Sequence, residues 1–179
     1  GYFRTDTLPV GFSADLMVTR HYTQKEYPFI FTNGVQASYV EVDPDTGFVK
    51  LLKHWAVEDC GRVLNPMLVD EQVRGAIVQG IGGVLFEECI YDESGLLRNG
   101  SMADYLVPMA NEMPDIEVAH VETPTQSSKL GAKGAGEAGT AGAPGAVQNA
   151  INDALAPFNT AVFDQPITCE KILKALGKV

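Results

Sequence analysis

Over residues 35–42, VQASYVEV, side chains alternate in size and polarity with a period of two, which predicts a half-buried strand. Asp43-Pro44-Asp45-Thr46-Gly47 follows. Proline presets its own φ, and Asp and Gly favour tight reversals, so this run predicts a turn. FVKLLKHWAVED, ending at residue 59, reads as a second strand and makes 35–59 a hairpin. After Pro66 the apolar spacing changes to steps of three and four. Val69, Val73, Ile77, Ile81, Val84 and Leu85 predict a helix over about 67–89. Gly75, Gly80, Gly82 and Gly83 lie inside it. Each costs about 1 kcal/mol against Ala in a helix. Either something packs very close to this backbone, or the helix ends near Gly80. IEVAHVE, 116–122, reads as a buried strand. A second helix is expected over about 143–156, with Pro144 in its first turn and Val147, Ile151, Ala154 and Leu155 on one face. ITCEKILKAL closes the chain as a third helix with Thr168 as N-cap. No internal repeat is present. Strands followed by interleaved helices and strands predict an α+β fold in two layers, a mixed sheet with flanking helices.

Residues 1–34 do not share this periodicity. Pro9, Gly11, Pro28 and the turn pair Asn33-Gly34 break the segment, and Tyr2, Phe3, Phe12, Tyr22, Tyr27, Phe29 and Phe31 crowd into it. The expected division is an irregular aromatic-rich arm over 1–34 and one domain over 35–179. The arm either wraps over another surface or joins the domain's own core. A chain of 179 residues with 45% apolar content is long enough for one domain with a real core.

Charge narrows the function classes. Thirteen Lys and Arg against 23 Asp and Glu give a net charge of −10, with no basic run. Binding nucleic acid or an anionic membrane needs clustered cations, so neither is an expected partner. No stretch of 18 apolar residues is free of charge or glycine, so no transmembrane helix is expected. The first residues, GYFRTDTLPV, do not read as a signal peptide and lack an initiator Met. The chain therefore reads as a fragment or a processed piece. Cys60, Cys89 and Cys169 are odd in number and widely spaced, with no CxxC. That pattern indicates neither a disulfide framework, a zinc site nor a self-contained iron–sulfur site, and it makes a reducing, cytoplasmic compartment the default.

The informative segment is Lys133-Gly134-Ala135-Gly136-Glu137-Ala138-Gly139, between a strand and a helix. Glycines let backbone N–H groups approach a ligand, and N–H groups ahead of a helix favour anions. Residues 134–139 spell GxGxxG, so a dinucleotide-binding domain is one alternative. Three features oppose it. The preceding strand ends about ten residues early, no acidic residue closes a following strand about 20 residues on, and Glu137 would aim a carboxylate at a pyrophosphate. No GK[ST] follows, so a Walker A loop fails too. A carboxylate in an N–H-rich loop reads as a base or an electrostatic anchor. The plainer alternative is that Glu137 only caps the helix. His54 and Trp55 read as core or partner-facing, Cys60 as a small buried side chain, and Asp104-Tyr105 as structural. His21 and His120 stand apart, without metal-ligand spacing.

Three blocks together carry a resemblance. The first is Val57-Glu58-Asp59-Cys60-Gly61-Arg62-Val63-Leu64-Asn65-Pro66, followed by Gln72-Val73-Arg74-Gly75 and Gln79-Gly80-Ile81-Gly82. The second is Gly100-Ser101 to Asp104-Tyr105 with Pro108, and the third is KGAGEAGTAGAPGAVQNAINDAL from Lys133. In order and spacing they resemble the closing part of the large subunit of the molybdenum hydroxylases, which include xanthine dehydrogenase, aldehyde oxidase and aerobic carbon monoxide dehydrogenase. The resemblance implies a molybdenum–pterin cofactor, in mononucleotide or dinucleotide form. It implies oxidation of an aldehyde, N-heterocycle or similar small molecule with water-derived oxygen, and Glu137 as the general base. Gln72 matches a glutamine that hydrogen-bonds the pterin, and Lys133, Gly134, Ala135 and Gly136 match the loop whose backbone approaches the metal end. No side chain of this chain is expected to ligate the metal. The implied partners are the remainder of the molybdenum subunit, an iron–sulfur subunit and a flavin subunit, so iron–sulfur clusters and FAD would lie outside this chain. By itself the chain is expected to be inactive. A non-catalytic assembly or cofactor-binding module of such a complex is the alternative from a different class.

Overall fold

The computed structural model describes residues 6–12, 17–21 and 29–179. Tyr2, Phe3, Tyr22, Tyr27 and Pro28 of the aromatic segment lie outside the described residues. Phe12, Phe29 and Phe31 are exposed, and the Phe29 and Phe31 rings stack with centroids 6.2 Å apart.

The hairpin forms where the alternation places it. Strand β1, Asn33–Val42, pairs antiparallel with β2, Val49–Asp59, around the 43–47 turn. Gly47 takes φ +73 there, and its amide donates to the Asp43 carbonyl. A register shift between Tyr39 and Val40 skips Leu52 on the facing strand. This bulge changes the phase of β2. Leu51 faces the core before it, and His54, Ala56 and Glu58 face inward after it. Strand β3, Ile116–His120, adds parallel to β2, giving a three-stranded mixed sheet in the order β1-β2-β3. A parallel neighbour requires a crossover. Helix α1, Pro66–Leu85, lies on that crossover and is followed by a long irregular stretch.

Helix α1 starts as expected, with Asn65 accepting from the Leu68 amide and Pro66 in the first turn. It stops at Leu85 rather than 89. The amides of Phe86 and Glu87 both close on the Gly82 carbonyl, and Phe86 leaves the helical path at φ −126. Helix α2, Ala138–Leu155, begins five residues before the expected start, so Pro144 sits in its interior and not in its first turn. Tertiary packing explains the early start. A Cβ on Gly139 would meet the Val73 carbonyl at 2.6 Å, and one on Gly80 would meet the Ala143 Cβ at 2.8 Å. Only small residues permit this approach of α1 to α2, and the contact outweighs the low helix propensity of the 138–142 glycines. Pro144 has no N–H for the Thr140 carbonyl. That oxygen lies 2.9 Å from the place a Gly80 Cβ would occupy, and the Thr140 hydroxyl donates to the Ala76 carbonyl. Close packing therefore accounts for Gly80 and Gly82, whereas Gly75 and Gly83 face open space and the helix runs past Gly80 to Leu85.

β3 ends at His120, two residues short of expectation, and it is not fully buried. Ile116 is inside while Glu117 and Ala119 are exposed, as an edge strand allows. Helix α3, Cys169–Ala175, starts at Thr168, whose hydroxyl accepts from the Lys171 amide. Ile77, Ile81, Val147, Ile151 and Ile172 are wholly buried between the helices and the apolar end of the sheet. The result is the α+β arrangement of a mixed sheet with helices packed on it.

Candidate functional site

The inner face of the sheet is apolar at one end and polar at the other. Val40 and Leu51 join the core, whereas the half-buried Gln36 and Ser38 and the buried His54 and Glu58 form a polar group near the start of α2. His54 and Glu58 are 0% and 2% exposed, so their partners decide whether burial is tolerable. Burial pushes the His54 imidazole below its ordinary pKa and so favours the neutral ring. Its Nε2 lies 3.2 Å from Gln36 Oε1 and its Nδ1 lies 2.8 Å from Ser38 Oγ. A neutral ring satisfies both by donating from Nε2 and accepting the Ser38 hydroxyl at Nδ1. Gln36 Nε2 in turn donates to Glu58 Oε1 and to the Gly139 carbonyl, each at 3.0 Å. Burial raises the Glu58 carboxyl above the usual range, with the Gln36 hydrogen bond acting against that rise.

A second cluster holds the glycine loop. The Lys133 ammonium sits 2.9 Å from Asp59 Oδ2 and also reaches Thr123 Oγ1. Asp59 Oδ1 accepts from the Gly61 amide at 2.9 Å and from the Thr123 amide at 3.2 Å. The Thr123 hydroxyl and the Lys133 ammonium hold the Asp59 carboxyl far below the usual carboxylate range. Backbone pairing reinforces the cluster. Gly61 bridges Ala132, the Lys133 amide donates to the Cys60 carbonyl, and the Arg62 amide donates to the Gly131 carbonyl. Gly61 needs its φ of +71 and its missing Cβ, which would collide with the Gly131 carbonyl.

Between these two anchors the loop opens outward. Gln72, on an exposed position of α1, donates from Nε2 to the Gly136 carbonyl at 3.0 Å. Glu137 follows directly as the N-cap residue of α2. Its side chain makes no cap hydrogen bond, and the residue is exposed. A Cβ on Gly134 or Gly136 would meet nothing within 4 Å, and neither glycine has a positive φ. Neither internal crowding nor backbone strain calls for glycine at these two positions. Both leave open space along the loop. The same holds on α1, where Gly75 and Gly83 stand in open space on the exposed face that carries Gln72 and Gln79.

The structure thus brings Gln72, Gly136 and Glu137 together. It turns the Lys133 side chain away into the Asp59 pair, leaving Gly134 and Gly136 as the exposed positions of the loop ahead of Glu137. Among the described residues no group of three or more His, Cys, Asp or Glu could hold a metal ion, and no helix is long and apolar enough to cross a membrane. Cys60 is buried. The Tyr105 hydroxyl donates to Glu87 Oε2 at 2.6 Å, and that carboxylate pushes the phenol up to about 12. His120 pairs with Asp70 at 2.6 Å and ties β3 to the start of α1. Sequence reasoning passed over Gln36 and the Asp59–Thr123 contact. The available signal was a Gln at an inward position of an alternating strand, where an apolar residue is the rule.

This arrangement has known counterparts. The molybdopterin cofactor-binding domain family matches residues 7–114, more than half of the chain. The chain is 44% identical over 174 residues to the nicotine 6-hydroxylase large subunit of Paenarthrobacter nicotinovorans, covering 97% of this chain and 21% of that protein. It is 39% identical over 142 residues to an aldehyde oxidoreductase molybdenum-binding subunit of Escherichia coli, covering 78% of this chain and 19% of that one. The crystal structure of quinoline 2-oxidoreductase from Pseudomonas putida 86 superposes with a TM-score of 0.79 at 43% identity, over 82% of this chain and 19% of that one. The chain spans about a fifth of the length of these relatives. Its three motif blocks, its fold and the family match agree, and the chain belongs to the molybdopterin cofactor-binding domains of the molybdenum hydroxylase family.

Proposed function

We propose that this chain forms part of the catalytic cofactor site of a molybdenum hydroxylase large subunit, with Glu137 as the general base. The observation that carries this reading is the state of Glu137. Its backbone is held on both sides, yet its carboxylate is left out of helix capping and faces outward from an N–H-rich loop.

The residues present fit a molybdenum–pterin group. Gly134 and Gly136 leave open room along the loop, and the Gln72 amide has one hydrogen engaged by Gly136 and retains a donor and an acceptor for a pterin edge. Lys133 is neutralised by Asp59, so the loop meets the cofactor through its backbone. When bound, the cofactor supplies a Lewis acid for water-derived oxygen and accepts the two electrons removed from substrate. Glu137 takes the proton from the oxygen nucleophile, a role that needs the ionised carboxylate and a fixed direction. The rest of the large subunit, an iron–sulfur subunit and a flavin subunit complete the assembly and carry the electrons onward. The substrates are aldehydes, N-heterocycles or similarly small molecules, oxidised in the cytoplasm.

Glu137→Gln in the assembled, molybdenum-loaded enzyme tests the assignment. Turnover is expected to fall by roughly 10²–10⁴-fold, the ordinary range for a general base, with molybdenum per chain unchanged. Near-normal turnover in that variant would remove Glu137 from the chemistry.

A further inference from the structure

Gln36 lies on a different element from Glu137 and far from it in sequence, yet its amide reaches the first turn of α2. Nε2 donates to the Gly139 carbonyl at 3.0 Å and lies 3.5 Å from the Ala138 carbonyl, the two residues that follow Glu137. The orientation of this amide is determined by its other partners. His54 Nε2 lies against Oε1, and the buried Glu58 carboxylate takes one of the two amide hydrogens. An inverted amide would set its oxygen against Glu58 and two carbonyls, so one hydrogen points at Glu58 and the other at the helix.

The surroundings are shaped for this contact. A Cβ on Gly142 would stand 2.8 Å from Gln36 Cδ and 2.9 Å from Nε2, so only glycine there admits the amide. A Cβ on Gly34 would collide with the Glu58 carboxylate. Thr32, Gly34, Gln36, Glu58, Ala138 and Gly142 line one cleft of about 260 Å³, which runs from the buried network to the start of α2. On the preceding side, Gln72 holds the Gly136 carbonyl. Glu137 therefore sits between two amide clamps, one from α1 and one from the sheet.

We propose that Gln36 is a positioning residue for Glu137. Through Gly139 it holds the first turn of α2, and so the direction in which the Glu137 carboxylate leaves the loop. The inference rests on the reading of Glu137 as base. Gln36 itself touches neither cofactor nor substrate in this role.

The test uses the assembled, molybdenum-loaded enzyme with Gln36→Met, which keeps the length and removes the hydrogen bonds. Gly142→Ala serves as a second variant that displaces the amide without removing it. Two measurements are made. The first is amide hydrogen exchange of peptides spanning 134–146. The second is kcat per molybdenum and KM, with the aldehyde or N-heterocycle that the wild-type enzyme oxidises. Exchange in the first turn of α2 is expected to quicken about tenfold while the second half of the helix keeps its protection. The value of kcat per molybdenum should fall roughly 10- to 100-fold, as a misplacement of about 1 Å can produce, with KM within about twofold and molybdenum content unchanged. Wild-type exchange, or wild-type kcat per molybdenum in both variants, overturns the proposal. So does a loss confined to molybdenum content, which would mark Gln36 as purely structural. Glu137→Gln is measured alongside. If that variant turns over normally, the base assignment has failed. If it is inactive while Gln36→Met is normal, only the positioning role has failed.

Discussion

Asp59 shows how a single side chain can organise a loop far away in sequence. Its two oxygens accept from the Gly61 amide, both donors of Thr123 and the Lys133 ammonium. A carboxylate with that many donors is strongly favoured in its charged form. The sign of the pH effect follows. The folded-state pKa lies below 3.8, so the stabilisation is present above that pH and is lost as pH falls through the window beneath it. Asp59→Asn should therefore lower the thermal midpoint of the assembled enzyme at neutral pH, and the deficit should shrink below about pH 3.8. A deficit that is the same at pH 7 and pH 3 would contradict this account. Glu58 has the opposite sign. Its raised pKa means that stability is greater with the carboxyl protonated and declines as pH rises through the folded-state value. The two neighbouring acids, Glu58 and Asp59, are separated by their partners: one amide hydrogen for Glu58, a full set of donors for Asp59.

At the scale of elements, the α1–α2 contact depends on the absence of side chains. Gly80 and Gly139 let the two helices approach until backbone meets backbone, and the interior Pro144 leaves its acceptor oxygen on the contact side. Gly80→Ala would place a methyl group 2.8 Å from Ala143 Cβ and 2.9 Å from the Thr140 carbonyl. Neither neighbour is the flexible end of a long side chain. Such overpacking costs roughly 1–3 kcal/mol, even though Ala is the better helix former. Chemical denaturation of the assembled enzyme should show that loss. Gly145→Ala, at an exposed position of α2, provides the control, since its methyl group meets nothing in this chain. Equal effects of the two substitutions would place the crowding elsewhere.

For the whole molecule, the exposed apolar side chains matter most. Phe29, Phe31, Met67, Leu68 and Phe163 are between 68% and 89% exposed, apart from Leu68 at 61%, beside an acidic chain that spans about a fifth of its relatives. Under the proposed function, the rest of the large subunit covers apolar groups of this kind. Native mass spectrometry of the purified source complex should find this sequence in a larger assembly with molybdenum close to one per chain. A chain that runs alone without molybdenum would instead favour a non-catalytic module.

Much of this organisation was legible in the residues because it is local. Alternation over 35–42, the Asp-Pro-Asp-Thr-Gly turn, the Asn65-Pro66 helix start and the Thr168 cap are each decided by neighbours within a few positions. The motif blocks at 57–82, 100–108 and 133–155 carry the family resemblance, and it is that resemblance which implies roles for Gln72 and Glu137. Where local signals conflict with long-range packing, the residues alone mislead. The α2 start at Ala138 is contrary to the propensity of a glycine-rich run and follows from contact with α1. The bulge opposite Tyr39–Val40 changes which side of β2 faces inward, and so brings His54 and Glu58 beside Gln36. No spacing rule connects Gln36 to Gly139, or Asp59 to Lys133, because those contacts join positions 103 and 74 residues apart. Periodicity and capping residues placed the elements to within a few positions, and the family resemblance singled out Glu137. The contacts of Gln72 and Gln36 on either side of Glu137 arise only in the folded chain, since hydrogen-bond partners distant along the chain meet once the sheet and helices have packed.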